Sequence, residues 1–366
     1  MSSTFKQLGA NDKVSSRTLV HEAIPITGSI VSGTYEDNNI KNYGHGMFQS
    51  VYDYPYLSSS ANHIFDITVG YDNASALSGA SNSQNSKKIN IYNQMSQMLV
   101  GYDLTGTVGR FDLEGTSPGA GSESSKMNEV FFFNFSRLLT KDEIKKGTFQ
   151  LELGIDDTYA QDGTVFANRV RLVDYSGSNG YYVNSPAGEY GVLYATGTAG
   201  TDVTAANQHY AVGLLYYQAG IAVITGSMFA DATDNGILND TLGTNEMSAS
   251  VSNTGYNFVT ASTIQVFSDS IRNRVYNIQY NNTTELNSSV YFCRANHNEF
   301  NYSSNPTYVN DSKIRVKDIE TDIPKSYITT VGLYSEKKEL LAVAKLSEPI
   351  KKTAENEFTL RVRLDY

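Results

Sequence analysis

The chain has 366 residues, of which 40% are hydrophobic, 11% aromatic and 18% charged, enough for two domains or for one large β-rich domain with insertions. Its formal charge is −10, and from Thr148 to Thr260 two basic residues stand against eleven acidic ones, a net of −9 that repels a phosphate backbone and argues against gripping nucleic acid. Cys293 is the only cysteine, which excludes an intrachain disulfide and a cysteine-based zinc site, and no run of about 18 apolar residues offers a bilayer-spanning segment.

The opening "MSSTFKQLGANDKVSS" lacks the apolar centre of a signal peptide, so the expectation is a soluble chain made and folded in a reducing cytosol. "TLVHEAIPITGSIV" forms a strand broken by Pro25. In "HIFDITVGY", Ile64, Asp66 and Thr68 alternate with Phe65, Ile67 and Val69, the pattern of a half-buried strand. Residues 75–86 and 115–124 are small-residue loops. Between them the sequence predicts a helix over 87–100, capped by Ser86 and stopped by Gly101, burying Ile91, Met95, Met98 and Leu99 with Tyr92 beside them.

"EVFFFNF" reads as a buried strand; Thr140 and Glu143 then form a T-x-x-E capping box for a short helix closed by Gly147, before "TFQLELGI" resumes a strand. In "HYAVGLLYYQAGIAVITGSMF", Gly213 and Gly220 favour two strands with a bend over one helix. A second helix is expected at 263–274, with Ser262 and Gln265 as its capping box and Ile264, Phe267, Ile271 and Val275 on its buried stripe. "NIQYNNTTELNSSVYFCRA" reads as a hairpin around Asn281-Asn282. In "FTLRVRLDY", Phe358, Leu360, Val362, Leu364 and Tyr366 share one face, and Thr359, Arg361, Arg363 and Asp365 the other. The 26 Tyr and 16 Phe, with no Trp, suit sheet surfaces and subunit interfaces alike.

Reactive constellations are weak. None of His21, His45, His63, His209 and His297 sits in a metal-binding spacing, although His45 could meet His63 or Asp66 across the fold. Cys293 and His297 are four apart, too far along a strand for a nucleophile–base contact. Residues 231–242 echo a calcium loop, but Leu242 occupies the slot that needs a bidentate Glu, leaving a loose loop site or a polar turn. Asp156, Asp157 and Asp162 offer paired carboxylates without the aromatic platforms of a sugar-cleaving site. The reading is no enzyme, no cofactor and no metal.

The segments "GMFQSVYDYPYLSSSANHIFDITVGY" (46–71), "FFFNFSRLLTKDEIKKGTFQL" (131–151), "SPAGEYGVLY" (185–194), "EFNYSSNPTYV" (299–309) and "YITTVGLYSEKKELLAVAKLSEPIKK" (327–352) resemble virion structural proteins of contractile-tailed phages of marine bacteria and cyanobacteria. The resemblance implies a component of the tail or baseplate, with the neck (head–tail connector), capsid decoration and a receptor-binding or fibre-associated role as alternatives. It implies protein–protein contacts with other virion structural proteins and a homo-oligomer in a symmetric assembly, and carries over no catalytic residue.

The expected fold is mainly β, with β-sandwich-like sheets and a few short α-helices: a body over 1–275 and a C-terminal β module over 276–366. The interface candidates are Phe300, Tyr302, Pro306 and Tyr308, whose rings can anchor a contact. To these the following hairpin adds Tyr327, Leu333, Tyr334, Leu341 and Val343. That hairpin is apolar on both faces, so both call for cover, first by its own domain and otherwise by a neighbouring subunit.

Overall fold

A computed structural model describes residues 5–26, 39–75, 78–79, 83–115, 125–154, 169–175, 177–197, 210–229, 263–272, 275–301, 309–310, 313–314 and 325–366. The chain is mainly β, with large antiparallel sheets and, among the described residues, two helices longer than one turn. It divides into two compact units, Val20–Thr284 and Glu285–Tyr366 with Met1–Leu19, and the division falls within the strands Lys13–Ile26 and Val275–Ala295.

The larger unit takes in the end of β1 (Lys13–Ile26), then β2 (Ile40–Asn42), β3 (Gln49–Tyr52), β4 (His63–Tyr71), α1 (Asn85–Leu99), β5 (Phe111–Asp112) and β6 (Lys126–Met127). Next come β7 (Glu129–Phe135), α2 (Arg137–Thr140), β8 (Glu143–Ile144), β9 (Gln150–Gly154), β10 (Arg169–Val173), β11 (Tyr182–Ser185) and β12 (Gly188–Gly197). It closes with β13 (Tyr210–Tyr216), β14 (Ile221–Thr225), α3 (Ile264–Arg272) and the start of β15 (Val275–Ala295). The strands lie in the order β15-β9-β10-β12-β13-β14-β7-β4-β3-β2, with β11 added to β12 and β8 to β15.

β7 lies near the centre of this order, and its sequence explains why. Val130, Phe131, Phe132, Phe133 and Phe135 are all buried, which only a strand covered on both faces allows. Phe133 meets Phe65 with ring centroids 5.4 Å apart; Phe135 meets Phe149 at 5.5 Å and Tyr280 at 5.7 Å. Phe132 meets Phe111 at 5.7 Å, and Phe111 meets Tyr92 of α1 edge-on at 5.4 Å. Tyr92 is fully buried and satisfies its hydroxyl by donating to the Met127 carbonyl at 2.8 Å. α1 can approach β4 this closely because position 70 is glycine: a Cβ there would sit 2.9 Å from the Lys88 carbonyl oxygen and the Tyr92 nitrogen.

Several local expectations are corrected. β1 begins at Lys13 and continues through Pro25 to Ile26, as an outermost strand permits. α1 starts one residue before Ser86, and Gln84 precedes it in the left-handed region at φ 53°. The Gln84 side chain caps a different helix: its Oε1 accepts the Ile264 N–H at 2.9 Å, at the first residue of α3. Ser262 lies outside the described residues. Met98 of the predicted apolar stripe is half exposed, whereas Lys88 and Ser96 are buried in its place. The Thr140–Glu143 capping box does not form, because α2 ends at Thr140 and Glu143 enters β8. Gly147 does take a left-handed φ of 75°, in a turn.

The hairpin expected at Asn281-Asn282 is one continuous strand of 21 residues, β15. The two asparagines are consumed by the neighbouring β8 segment: Asn282 Nδ2 donates to Leu139 O at 2.9 Å, and the Asn281 carbonyl accepts from Lys145 N–H at 2.7 Å. With their polar groups engaged across the sheet, they need no turn. The β13–β14 turn at Gly220 (φ 67°) is as expected, and Gly213 lets the two strands meet tightly.

In the other unit, β20 (Phe358–Asp365) pairs with β15 from Ser288↔Asp365 to Ala295↔Phe358, and β1 pairs with β15 as well. Before β20 come a short ladder of β16 (Val309–Asn310) with β17 (Lys313–Ile314), then β18 (Lys325–Tyr334) and β19 (Leu340–Thr353), which pair with each other. The expected alternation holds within β20: Val362 is buried, Phe358, Leu360 and Leu364 are half-buried, and Thr359, Arg361, Arg363 and Asp365 are exposed; Tyr366, expected on the covered face, follows the strand and is exposed.

Candidate functional site

The β18–β19 hairpin is built by strong local rules. β-branched and aromatic residues dominate β18, and the two strands exchange a ladder from Lys325↔Thr353 to Tyr334↔Leu340. Their connection, Ser335–Glu339, closes with Lys338 N–H donating to the Ser335 carbonyl at 2.9 Å and Glu339 N–H to Ser335 Oγ at 3.1 Å. Lys338 pays for the turn with a left-handed φ of 65°. The register shifts between Ile328↔Ile350 and Thr330↔Lys345, and Pro349, which has no N–H for a ladder, lies in that irregular stretch of β19.

The base of the hairpin is anchored by a residue that the sequence reading passed over. Lys352 is fully buried, and its three ammonium protons have three acceptors: Asn301 Oδ1 at 2.7 Å, Thr353 O at 2.7 Å and His297 O at 3.2 Å. Desolvation pushes its pKa below the usual lysine value. The same clip holds the 297–301 turn, where the Phe300 carbonyl accepts from Ser326 Oγ and Phe300 itself has a φ of 56°, rare for a bulky side chain. At the other end Phe5 packs edge-on to Tyr334 with centroids 4.8 Å apart, and the Lys338 ammonium lies 5.9 Å from the Phe5 ring.

Between those anchors the hairpin is bare. No residue from Tyr327 to Lys351 is buried, and Tyr327, Leu340, Leu341 and Val343 each keep more than half of their surface open to solvent. Val331, Leu333, Ala342, Ala344 and Leu346 are half-buried along the other face. The expectation that its own domain buries this hairpin is therefore overturned. Of the interface candidates, Tyr327, Tyr334, Leu341, Val343 and Phe300 are exposed and Leu333 is half-buried; Tyr302, Pro306 and Tyr308 lie outside the described residues. The hairpin groups Tyr327, Leu333, Tyr334, Leu341 and Val343 on one element, and Phe300 joins them through Ser326 at its base.

Among the described residues of the larger unit, two polar clusters bear on the chemical candidates. Asp66 accepts from Ser50 Oγ at 2.5 Å and lies 2.8 Å from His63 Nε2, and Ser50 Oγ is 3.2 Å from the Tyr43 hydroxyl. His63 and Ser50 meet on the same carboxylate oxygen, so the histidine does not bridge to the hydroxyl and cannot take its proton. His45 stays apart from His63 and Asp66, stacking on Tyr43 at 5.2 Å and accepting Met47 N–H on Nδ1. In the second cluster, buried Asp174 accepts from Gly147 N–H at 2.5 Å and Phe149 N–H at 3.0 Å. Burial outweighs both bonds and pushes its pKa up to about 6. This carboxylate fastens the turn before β9 to the end of β10, a structural task.

Cys293 lies in β15 opposite Leu360, and burial raises its pKa, which keeps the thiol protonated. His297 reaches Lys352 through its backbone carbonyl. His209, the 231–242 loop and Asp156, Asp157 and Asp162 lie outside the described residues. Among the described residues no three His, Cys, Asp or Glu side chains gather as a metal site, and no helix is long and apolar enough to cross a membrane. A cavity of about 10 Å³ between Leu99, Asp112, Ser185 and Tyr216 has room for one water. No protein-family model, curated protein or solved structure matches the chain.

Proposed function

We propose that this chain is a structural component of a contractile-tailed phage virion, in its tail or baseplate, that works by protein–protein contact and not by catalysis. The observation that supports it most is the bare β18–β19 hairpin. A two-stranded hairpin alone is marginal in water, and burying an aliphatic side chain contributes about 1.5–3 kcal/mol. An anchored hairpin that leaves Tyr327, Leu340, Leu341 and Val343 in solvent is a surface awaiting a protein partner. The resemblance of 299–309 and 327–352 to virion proteins supplies the setting.

The test is quantitative mass spectrometry of density-purified particles. The reading expects the chain at a copy number matching the symmetry of the tail axis. Hundreds of copies per particle would move it to the capsid surface, and its absence from particles would end the virion reading. A receptor-binding role draws on the β3–β4 connection, which exposes Tyr54, Tyr56 and Leu57. Specific binding of purified protein to host cells, abolished by Tyr54→Ser with Tyr56→Ser, would favour it.

A further inference from the structure

We infer that the sheet face carrying Lys41, Ser50, Asp66 and Asn134 binds a neutral carbohydrate, with Asp66 and Asn134 bonding sugar hydroxyls and the flanking tyrosine rings packing on its C–H face. The inference goes beyond the assembly reading above and does not rest on it.

Register lays out the site. Lys41 pairs with Ser50, Ser50 with Asp66 and Asp66 with Asn134, so the four side chains form one row across β2, β3, β4 and β7. Rings close both ends of the row. Toward the β2–β3 turn, Tyr43 packs on Phe48 with centroids 4.8 Å apart. Toward the β3–β4 connection, Tyr52 packs on His63 at 5.5 Å and on exposed Tyr56 at 6.3 Å. From strand spacing and rise, the strip measures about 14 Å from β2 to β7 and about 13 Å from Phe48 to Tyr52. That is the footprint of a short oligosaccharide.

The groups left unbonded identify the ligand. The Tyr43 hydroxyl donates to Ser50 Oγ, Ser50 donates to Asp66 Oδ1, and His63 Nε2 meets that same oxygen. Both ties fall on one oxygen, so the carboxylate is held in place while its Oδ2 has no hydrogen-bond partner among the described residues. Asn134, directly across from Asp66, is half-buried, and its amide makes no hydrogen bond among the described residues. The Tyr52 hydroxyl is unengaged as well; burial, then nearby Tyr43 and Asp66, raise its pKa. A cluster built only to fasten the sheet edge would close on itself. This one presents an acceptor, an amide and a hydroxyl side by side, on a carboxylate already oriented by its neighbours.

Charge narrows the class. The row holds one cation, Lys41, and one anion, Asp66, so it favours neither a phosphate-like nor an ammonium-like ligand. A sugar fits: its adjacent hydroxyls both donate and accept, a carboxylate is their strong acceptor, and its C–H face suits the electron-rich face of a tyrosine ring. An open strip covers one side of a sugar only, so a Kd of roughly 0.1–10 mM is expected.

The experiment screens the full chain by saturation-transfer-difference NMR. The probes are methyl glycosides of glucose, galactose, mannose and N-acetylglucosamine, then maltotriose, mannotriose and chitotriose, with inorganic phosphate and tetramethylammonium as charged competitors. The expected result is at least one neutral sugar bound with a Kd below about 10 mM, strongest transfer to its ring C–H protons, and no displacement by either competitor. Asp66→Asn keeps Oδ1 for Ser50 and His63 and changes only the open oxygen; Asn134→Ala removes a side chain that has no bond to lose. Each should weaken binding roughly tenfold or more, Asp66→Asn with an unchanged circular dichroism spectrum and Asn134→Ala with an unchanged Tm. A trisaccharide bound much more tightly than its monosaccharide assigns the site to a polymeric glycan, and equal binding assigns it to a free sugar; both support the inference. No neutral sugar bound at about 50 mM, displacement by phosphate or tetramethylammonium, or full binding by both variants would each overturn it. Its failure is separable from that of the virion reading: a chain found in purified particles that binds no sugar loses only this site, whereas a sugar-binding chain absent from particles loses only the virion.

Discussion

The Phe-rich strand β7 and the hairpin strand β19 draw on the same apolar chemistry and meet opposite fates. Every phenylalanine of β7 is buried, between α1 and Phe111 on one side and Phe65, Phe149 and Tyr280 on the other. Leu340, Leu341 and Val343 of β19 face solvent. Strand propensity and hairpin geometry are local properties, and both segments satisfy them. Cover is a tertiary property, and an apolar strand states that it needs cover without stating who provides it. In the larger unit the chain supplies its own; the hairpin's outer face stays open to solvent.

That contrast is sharpened by substitutions, the largest first. Phe133→Ala, fully buried in the strand beside β4, should cost about 3–5 kcal/mol of stability through lost contact and a residual cavity. Leu341→Ala on the bare hairpin should stay within about 0.5 kcal/mol, measured by the same chemical denaturation. Equal costs at the two sites would mean that the hairpin is covered within the chain after all.

Lys352→Met should loosen the hairpin base by roughly 1–3 kcal/mol, because the carbonyls of His297 and Thr353 and the Asn301 amide lose their common donor. Hydrogen exchange should accelerate in 325–334 and leave β7 unchanged.

Asp174 gives a pH signature to the larger unit alone. Its folded pKa is raised to about 6 from 3.8, so its contribution favours the folded state fully below pH 3.8 and is lost as pH rises through about 6, to the extent of order 2–3 kcal/mol. Asp174→Asn should therefore flatten the difference in unfolding midpoint between pH 4 and pH 7 relative to the parent chain. A difference of unchanged size would remove Asp174 from the account. The smallest effect is expected at the hairpin turn: Lys338→Gly should stabilise by up to about 1 kcal/mol by relieving its positive φ, read as a small rise in Tm.

Much of this was legible in the residues. The β-rich class, the β7 and β20 strands, the β13–β14 turn and the C-terminal hairpin follow from alternation, glycine placement and apolar runs. Other features depend on partners distant in sequence. Asn281-Asn282 carries turn chemistry, yet Leu139 and Lys145 occupy its polar groups and the strand continues. Gln84 caps a helix 180 residues onward, which no capping motif encodes. Lys352 looks like one of two solvent lysines until Asn301 and two carbonyls surround it. The interface candidates on the hairpin were legible as apolar residues on both faces; that the chain leaves them open was not, because exposure is decided by what packs nearby.

The account's central claim is that another protein covers the hairpin. Hydrogen–deuterium exchange over Tyr327–Lys351, compared between the free chain and the same chain in purified particles, tests it most directly. The account predicts rapid exchange at the outer strand edges in the free chain and strong protection once assembled. Identical exchange in the two states, or full protection already in the free chain, would contradict it.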